Sequence, residues 1–195
     1  MSIRFERLGI RRFYRTMCYT FGMIFETDRL IVREWRDDDA EDAYRIYSEP
    51  EVNKGIMGTE PTSVMEMRER LANIRQRWSH LDRLGVWAVE LKSESRVVAT
   101  CLLKPLPNSE LIEVGWHVGM SDWGNGYATE FGEAAVRHGF ETVGLDAIYA
   151  IVFPWNAASL RVCNKIGLKH QGQTTEFHEH ELEFFRILPQ EFSRP

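Results

Sequence analysis

A few side chains and one loop in this sequence have the types and spacing to do chemistry. Glu113 is a carboxylate inside the otherwise apolar run LIEVGWHV (111–118), where a polar residue points either to solvent or into a site. A base placed there could take the proton that an amine must lose before it can attack an acyl group. Asn156 opens a helix after an apolar strand, and Ser159, three residues on, faces the same way. Between them lies WGNGYATE (123–130), with two glycines just ahead of a helix. A helix start offers free backbone N–H groups and the positive end of the helix dipole. Gly124 and Gly126 leave room for an anion beside it. Strand, glycine-rich turn, helix is therefore a phosphate-site pattern, with a plain turn and helix cap as the alternative.

Two familiar phosphate motifs are excluded. In a dinucleotide fingerprint the third glycine position would fall on Thr129, and Asp146 comes before the following strand instead of at its end. A P-loop needs a Gly-Lys pair, and the chain has none. FHEHE (177–181) places His178 and His180 on one face if extended, but no third ligand accompanies them, and His117 and His138 also lack partners. A polar hairpin tip is the expectation there, with no metal. Lys165 and Gly167 close their helix in the ordinary way, a cation in the last turn and a glycine after it.

These residues need elements to hold them. Apolar–polar alternation predicts a strand at 29–35, and extended runs bounded by turns predict strands at 86–92, 96–106, 111–118, 168–175 and 181–188. AIYAIVF (147–153) is almost wholly apolar and reads as a strand covered on both faces. Helical periods predict a helix capped by Asp37 or Asp38 and stopped by Pro50, and one opened by a Ser63–Glu66 capping box and running to about Leu81. A third runs from about Ala128 to Gly139, and a fourth follows Asn156 and ends at Gly167. The order β-α-α-β-β-β-α-β-α-β-β gives a mixed sheet with helices on its faces. The two helix starts, each beside a strand end, then converge on one edge of the sheet.

The bulk properties narrow the function classes. A chain of 195 residues with 44% hydrophobic and 27% charged residues fits one domain with a real core. Its net charge of −5 excludes a generally basic surface for nucleic acid. The charge is uneven: the first 24 residues carry five arginines against Glu6, a net +4, which leaves −9 for the rest. An acidic body suits a cationic substrate, although many proteins are simply acidic. Cys18, Cys101 and Cys163 are widely spaced and form no CxxC pair, so neither a disulfide framework nor a zinc site is expected and a cytoplasmic location is. No run approaches the roughly 20 apolar residues that span a bilayer. Residues 1–23 read as an N-terminal extension ahead of a domain over 24–195, with Met17 or Met23 as alternative starts, or as a short helix packed on the body.

Taken in order, TDRLIVREW, IEVGWHV, WGNGYATE and FPWNAASLRVCNKIGL resemble the GNAT superfamily of acyl-CoA-dependent N-acyltransferases, in its RimJ/RimL-like branch. The resemblance spans about Glu26 to Phe192. It implies an α/β (α+β) fold with a mixed, mostly antiparallel sheet and flanking helices. It also implies acetyl-CoA as co-substrate, a primary amine as acceptor, no membrane or nucleic-acid partner, and a monomer or homodimer. Backbone N–H groups of Gly124, Asn125, Gly126, Tyr127, Ala128 and Thr129 would hold the CoA pyrophosphate. Trp116, His117 and Val118 would bond the pantetheine arm as a neighbouring strand would, and Asn156 and Ser159 would line the thiol end. Glu113 would be the base, working through water, and a backbone N–H near Val118 would meet the oxyanion. Cys163 stands where many members carry a tyrosine that protonates the leaving thiolate, so Ser159 becomes the expected helper, unless the thiolate leaves unaided. The acceptor would enter past the loop 53–62 and the C-terminal strand pair. A protein or peptide N-terminus is the first expectation for it, a small amine or aminoglycoside the second. A non-catalytic CoA-binding or partner-binding module is the alternative of another class.

Overall fold

The computed structural model describes residues 22–56, 58–81 and 83–192. Of the expected extension only Gly22 and Met23 fall within them, and Cys18 lies outside. Strand β1 (Met23–Glu26) is unpredicted, because its sequence MIFE is apolar at three successive positions and shows no alternation. It pairs antiparallel with β2 (Leu30–Arg33). A 3-10 turn over Asp37–Asp39 leads into α1 (Ala40–Tyr47), whose Ala40, Ala43 and Ile46 are buried.

Pro50 was expected only as a stop. It opens a one-turn helix, α2 (Pro50–Asn53), because at a first helical position the missing N–H would have had no partner anyway. In α3 (Val64–Trp78), Ser63 accepts the Glu66 N–H as expected. The Glu66 carboxylate, however, accepts from the amide and hydroxyl of Thr62, not from the Ser63 amide, so the box is offset by one residue.

Strands β3 (Gly85–Leu91), β4 (Arg96–Pro105) and β5 (Ile112–Val118) form an antiparallel meander. The helix α4 (Tyr127–His138) follows and is extended by a π-helical turn over Gly139–Val143. Then come β6 (Ile148–Val152), α5 (Ala157–Lys165), β7 (Lys169–Thr174) and β8 (Leu182–Ile187). The eight strands lie in the order β1-β2-β3-β4-β5-β6-β8-β7. All neighbours are antiparallel except β5 and β6, which meet at the single pair Glu113–Tyr149.

That single pair marks where the sheet splays. β5 stays with β4 through Val118, whereas β6 stays with β8 through Val152. Each half-sheet keeps its own twist, so the two strands diverge just after Glu113, about three residues sooner than expected. Helices α4 and α5 cover one face with Phe131, Ala135, Val136, Cys163 and Ile166. On the other face, α1 and α3 pack Ile46, Met67 and Leu71 over Ala88 and Val97. They reach β3 and β4 but leave the β6–β8 end open. Hence β6 is buried on one side only. Ile148, Ala150 and Val152 are in the core, while Tyr149 stacks on Phe184 and Ile151 lines a groove.

Candidate active site

The loop between β5 and α4 is held from several sides. Asp122, almost fully buried, takes both guanidinium N–H groups of Arg96 at 2.9 and 2.7 Å, with Arg45 at 3.6 Å. Burial would raise the Asp122 carboxyl, but these cations win and hold it below the usual carboxylate range. Trp123 donates its indole N–H to the Val118 carbonyl at 2.8 Å. From the far side, Arg29 bonds the Asn125 carbonyl at 3.1 Å, pairs with Glu130 at 2.6 Å and lies 4.8 Å over the Tyr127 ring.

Within this frame Gly124 and Gly126 both adopt φ of +79°. A Cβ on Gly124 would meet nothing within 4 Å, and one on Gly126 only the Arg29 guanidinium at 3.8 Å. The glycines are thus required by left-handed backbone and not by packing within the protein. Gly126 is the residue that opens α4, and no side chain caps it, so the first-turn N–H groups are left for a ligand.

A cleft of about 590 Å³ runs from this loop along α5. Every residue expected on the CoA side lines it except Asn125, whose side chain turns back to the Asp122 carbonyl at 3.1 Å. Gly119 gives its N–H to Val98 on β4, so by strand alternation the N–H groups of Val118 and Trp116 face the opening beside β6. Backbone donors are thus free for a chain laid alongside β5. Asn156 caps α5 by accepting the Ser159 N–H at 3.1 Å, and Ser159 Oγ accepts the Trp116 indole N–H at 3.2 Å. Lys54, Arg161 and Lys165 also line the cleft. Arg161 and Lys165 have no ion-pair partner among the described residues. Lys165, expected only to close its helix, therefore adds positive charge beside the helix start, as an anionic pyrophosphate ligand requires. The donor set, the left-handed glycines and the cleft's size fit CoA.

A second cavity, about 290 Å³, opens on the other side of the splay and is lined by Glu113, Lys104, Phe153 and His178. Trp116, His117, Asn156 and Ser159 line both cavities and mark where they meet. Glu113 is in contact with Lys104, its cross-strand partner on β4. His117 gives its Nδ1 to the Tyr47 hydroxyl at 3.0 Å, and that hydroxyl bonds Thr100 Oγ1 at 2.6 Å. Burial, with Lys104 adding to it, pushes His117 down to about 4. Burial pushes Tyr47 up to about 12. Cys163 is fully buried under α5, touches neither cavity, and has its thiol pushed up to about 12 by burial. It lies beyond reach of a leaving thiolate in either cavity.

Tyr47, Thr100, Lys104, Arg29 and Arg161 escaped the sequence reading. Only Lys104 left a signal, a cation in a strand next to the one carrying Glu113. His178 and His180 lie in the loop that joins the antiparallel β7 and β8, the polar hairpin tip expected there. His180 packs 5.7 Å from Phe153. Among the described residues no three His, Cys, Asp or Glu side chains gather as metal ligands, and no helix is long and apolar enough to cross a membrane.

The comparisons with known proteins agree with this geometry. The family model for an acetyltransferase (GNAT) domain matches residues 29–169. The Bacillus subtilis protein YoaA, named an uncharacterized N-acetyltransferase, is 32% identical over 158 residues, 79% of this chain and 87% of its own. A GNAT-family acetyltransferase from Bacillus anthracis superposes with a TM-score of 0.74 at 23% identity, over 85% of this chain and 98% of its own. Mycobacterium smegmatis RimJ, solved in complex with CoA-disulfide, superposes at 0.70 and 20% identity, over 85% and 84% of the two chains. With the family model matched over most of its length, this chain belongs to the GNAT family of N-acetyltransferases, whose fold binds acetyl-CoA.

Proposed function

We propose that the protein transfers the acetyl group of acetyl-CoA to the α-amine of a protein or peptide N-terminus. The observation that carries this reading is the meeting of two unlike cavities at Trp116, His117, Asn156 and Ser159. One has an anion cradle made of Gly124 through Thr129 and the start of α4. The other has the Glu113 carboxylate, ion-paired with Lys104, as a proton acceptor for the amine. Glu113 is the base, reached through water, and the Val118 N–H faces the acetyl oxygen. Ser159 sits at the thiol end.

A peptide acceptor is favoured by the inner cavity's continuation into an outer groove between Lys54–Ile56 and His178–Glu181, wide enough for residues behind the amine. Fold neighbours also include RimJ, and a ribosomal-protein-S5-alanine acetyltransferase from Vibrio fischeri. A small ring-bearing amine is the second reading. It is favoured by the exposed Trp155, stacked on Phe153 with ring centroids 5.2 Å apart at the groove mouth. The buried free thiols Cys101 and Cys163 suit a reducing cytoplasm.

Thiol release from acetyl-CoA, measured against N-terminal peptides and small amines, tests this function. Turnover of peptides above all amines supports the first reading, and the reverse supports the second. CoA binding with no amine turned over leaves a CoA-binding module.

A further inference from the structure

Turning an ammonium group into an amide removes two protons from nitrogen. The first, lost before attack, ends in solvent and the second on the departing sulfur. Glu113 can account for the first. It lies four residues before His117, which is about 13 Å of strand. It therefore stands away from the junction where the bond must form. Cys163 cannot serve the second. His117 is the titratable side chain at the junction itself.

Its environment suits that place. Glu113, Gly115 and His117 share one face of β5, and Gly115 carries no side chain to separate the other two. Tyr47 fixes the ring through Nδ1 and packs edge-on against it, with centroids 5.8 Å apart. Nε2 has no partner among the described residues, so it is the ring nitrogen left for the cavities. If Nδ1–H donates to the Tyr47 oxygen and Tyr47 donates to Thr100, Nε2 carries a bare lone pair. The reverse direction would place a proton on Nε2.

We propose that His117 is a catalytic residue of the acetyl transfer, taking the nitrogen proton on Nε2 and passing it to the departing sulfur, with Tyr47 as its positioning residue. The inference rests on the two-cavity reading above. The nitrogen lone pair forms the C–N bond to the acetyl carbon. The C–S bond breaks and its electron pair stays on sulfur. The nitrogen proton moves to Nε2 and from there to sulfur, so His117 ends as it began. Burial keeps the ring neutral before the step. It also makes the imidazolium a strong acid beside a thiol with a pKa of roughly 8.5, which favours the second transfer and makes the first correspondingly harder.

The test has an activity arm and a spectroscopic arm. With an amine that the wild type accepts, His117→Ala should lower kcat about 100-fold or more, the usual range for a lost general acid–base group. CoA affinity should stay within about twofold, and added imidazole should restore about tenfold of the loss. Tyr47→Phe should lower kcat about tenfold with the KM for acetyl-CoA kept. In nitrogen NMR of the wild-type protein, His117 should show Nδ1 protonated and Nε2 bare, with Nε2 moving when CoA is added and the tautomer shifting in Tyr47→Phe. Wild-type kcat in His117→Ala, a loss that imidazole does not touch, or a proton on Nε2 would each overturn the proposal. If the wild type turns over no amine, the functional reading fails on its own and the NMR arm alone judges His117.

Discussion

The half of the cleft proposed for CoA is built mainly from backbone, whereas the half proposed for the acceptor is built from side chains. On the CoA side, two left-handed glycines, an uncapped helix start and the unpaired edge of β5 supply the donors. Side chains there brace the loop: Asp122 between two arginines, Trp123 on Val118, Arg29 on Asn125 and Glu130. On the proposed acceptor side, Glu113 and Lys104 come from two strands and His178 from a loop, while Tyr47 reaches from a helix to hold His117. A backbone site depends on local conformation, so a short stretch of sequence can encode it. A side-chain site depends on register and packing, which no short stretch contains.

Substitutions should separate the two halves. The largest effect is expected from Gly126→Val, which forces a β-branched residue to φ +79° at the start of α4. CoA affinity should fall by about 100-fold or more, read by titration calorimetry, because strain and the new side chain both oppose the ligand. Unchanged affinity would remove the cradle from the account. Glu113→Gln should act on the other half alone. It should lower kcat by roughly 10- to 100-fold and leave CoA affinity intact, as loss of a base acting through water would. Weakened CoA binding in that variant would mean that the halves are not separate.

A smaller effect belongs to the unpaired cations. Arg161→Gln or Lys165→Gln should weaken CoA about fivefold each and flatten the dependence of its affinity on salt, since exposed charges act through a screened field. The smallest effect concerns stability and lies outside both halves. His138 is buried against Phe25 and Trp87, and its ring nitrogen bonds the Arg83 carbonyl at 3.0 Å. Burial holds its pKa below the ordinary histidine value, and the Arg83 charge adds to this against that hydrogen bond. The unfolded chain then binds the proton more readily. This stability is fully present above pH roughly 6.5 and is lost as pH falls from there toward the folded value. His117 acts in the same direction down to about 4. His138→Gln should therefore show a smaller drop in Tm between neutral and mildly acidic pH than the wild type.

The same contrast explains what was legible in the sequence. WGNGYATE, Asn156 with Ser159, and the capping Ser63 declare themselves within a few residues, because helix caps and left-handed turns are local. The strand meander was readable from extended runs separated by the turns SES and NSE. β1 was not, since MIFE shows no alternation, and α2 was hidden because a proline that ends one helix also starts another. Glu113 was visible as a polar residue in an apolar strand. Its partner Lys104 required the β4–β5 register, and Tyr47 required the packing of α1 against that same face. Lys165 was read from its place at a helix end, yet its position along α5 also brings it to the cleft.

The central claim is that the two halves meet to acetylate an amine. Its most direct test is to incubate the protein with acetyl-CoA and N-terminal peptides, count the thiol released, and locate any acetyl group by mass spectrometry. The account predicts one acetyl group on the α-amine for each thiol released. Tight CoA binding with thiol release no faster than spontaneous hydrolysis, and no amine modified in peptides or small amines, would contradict it.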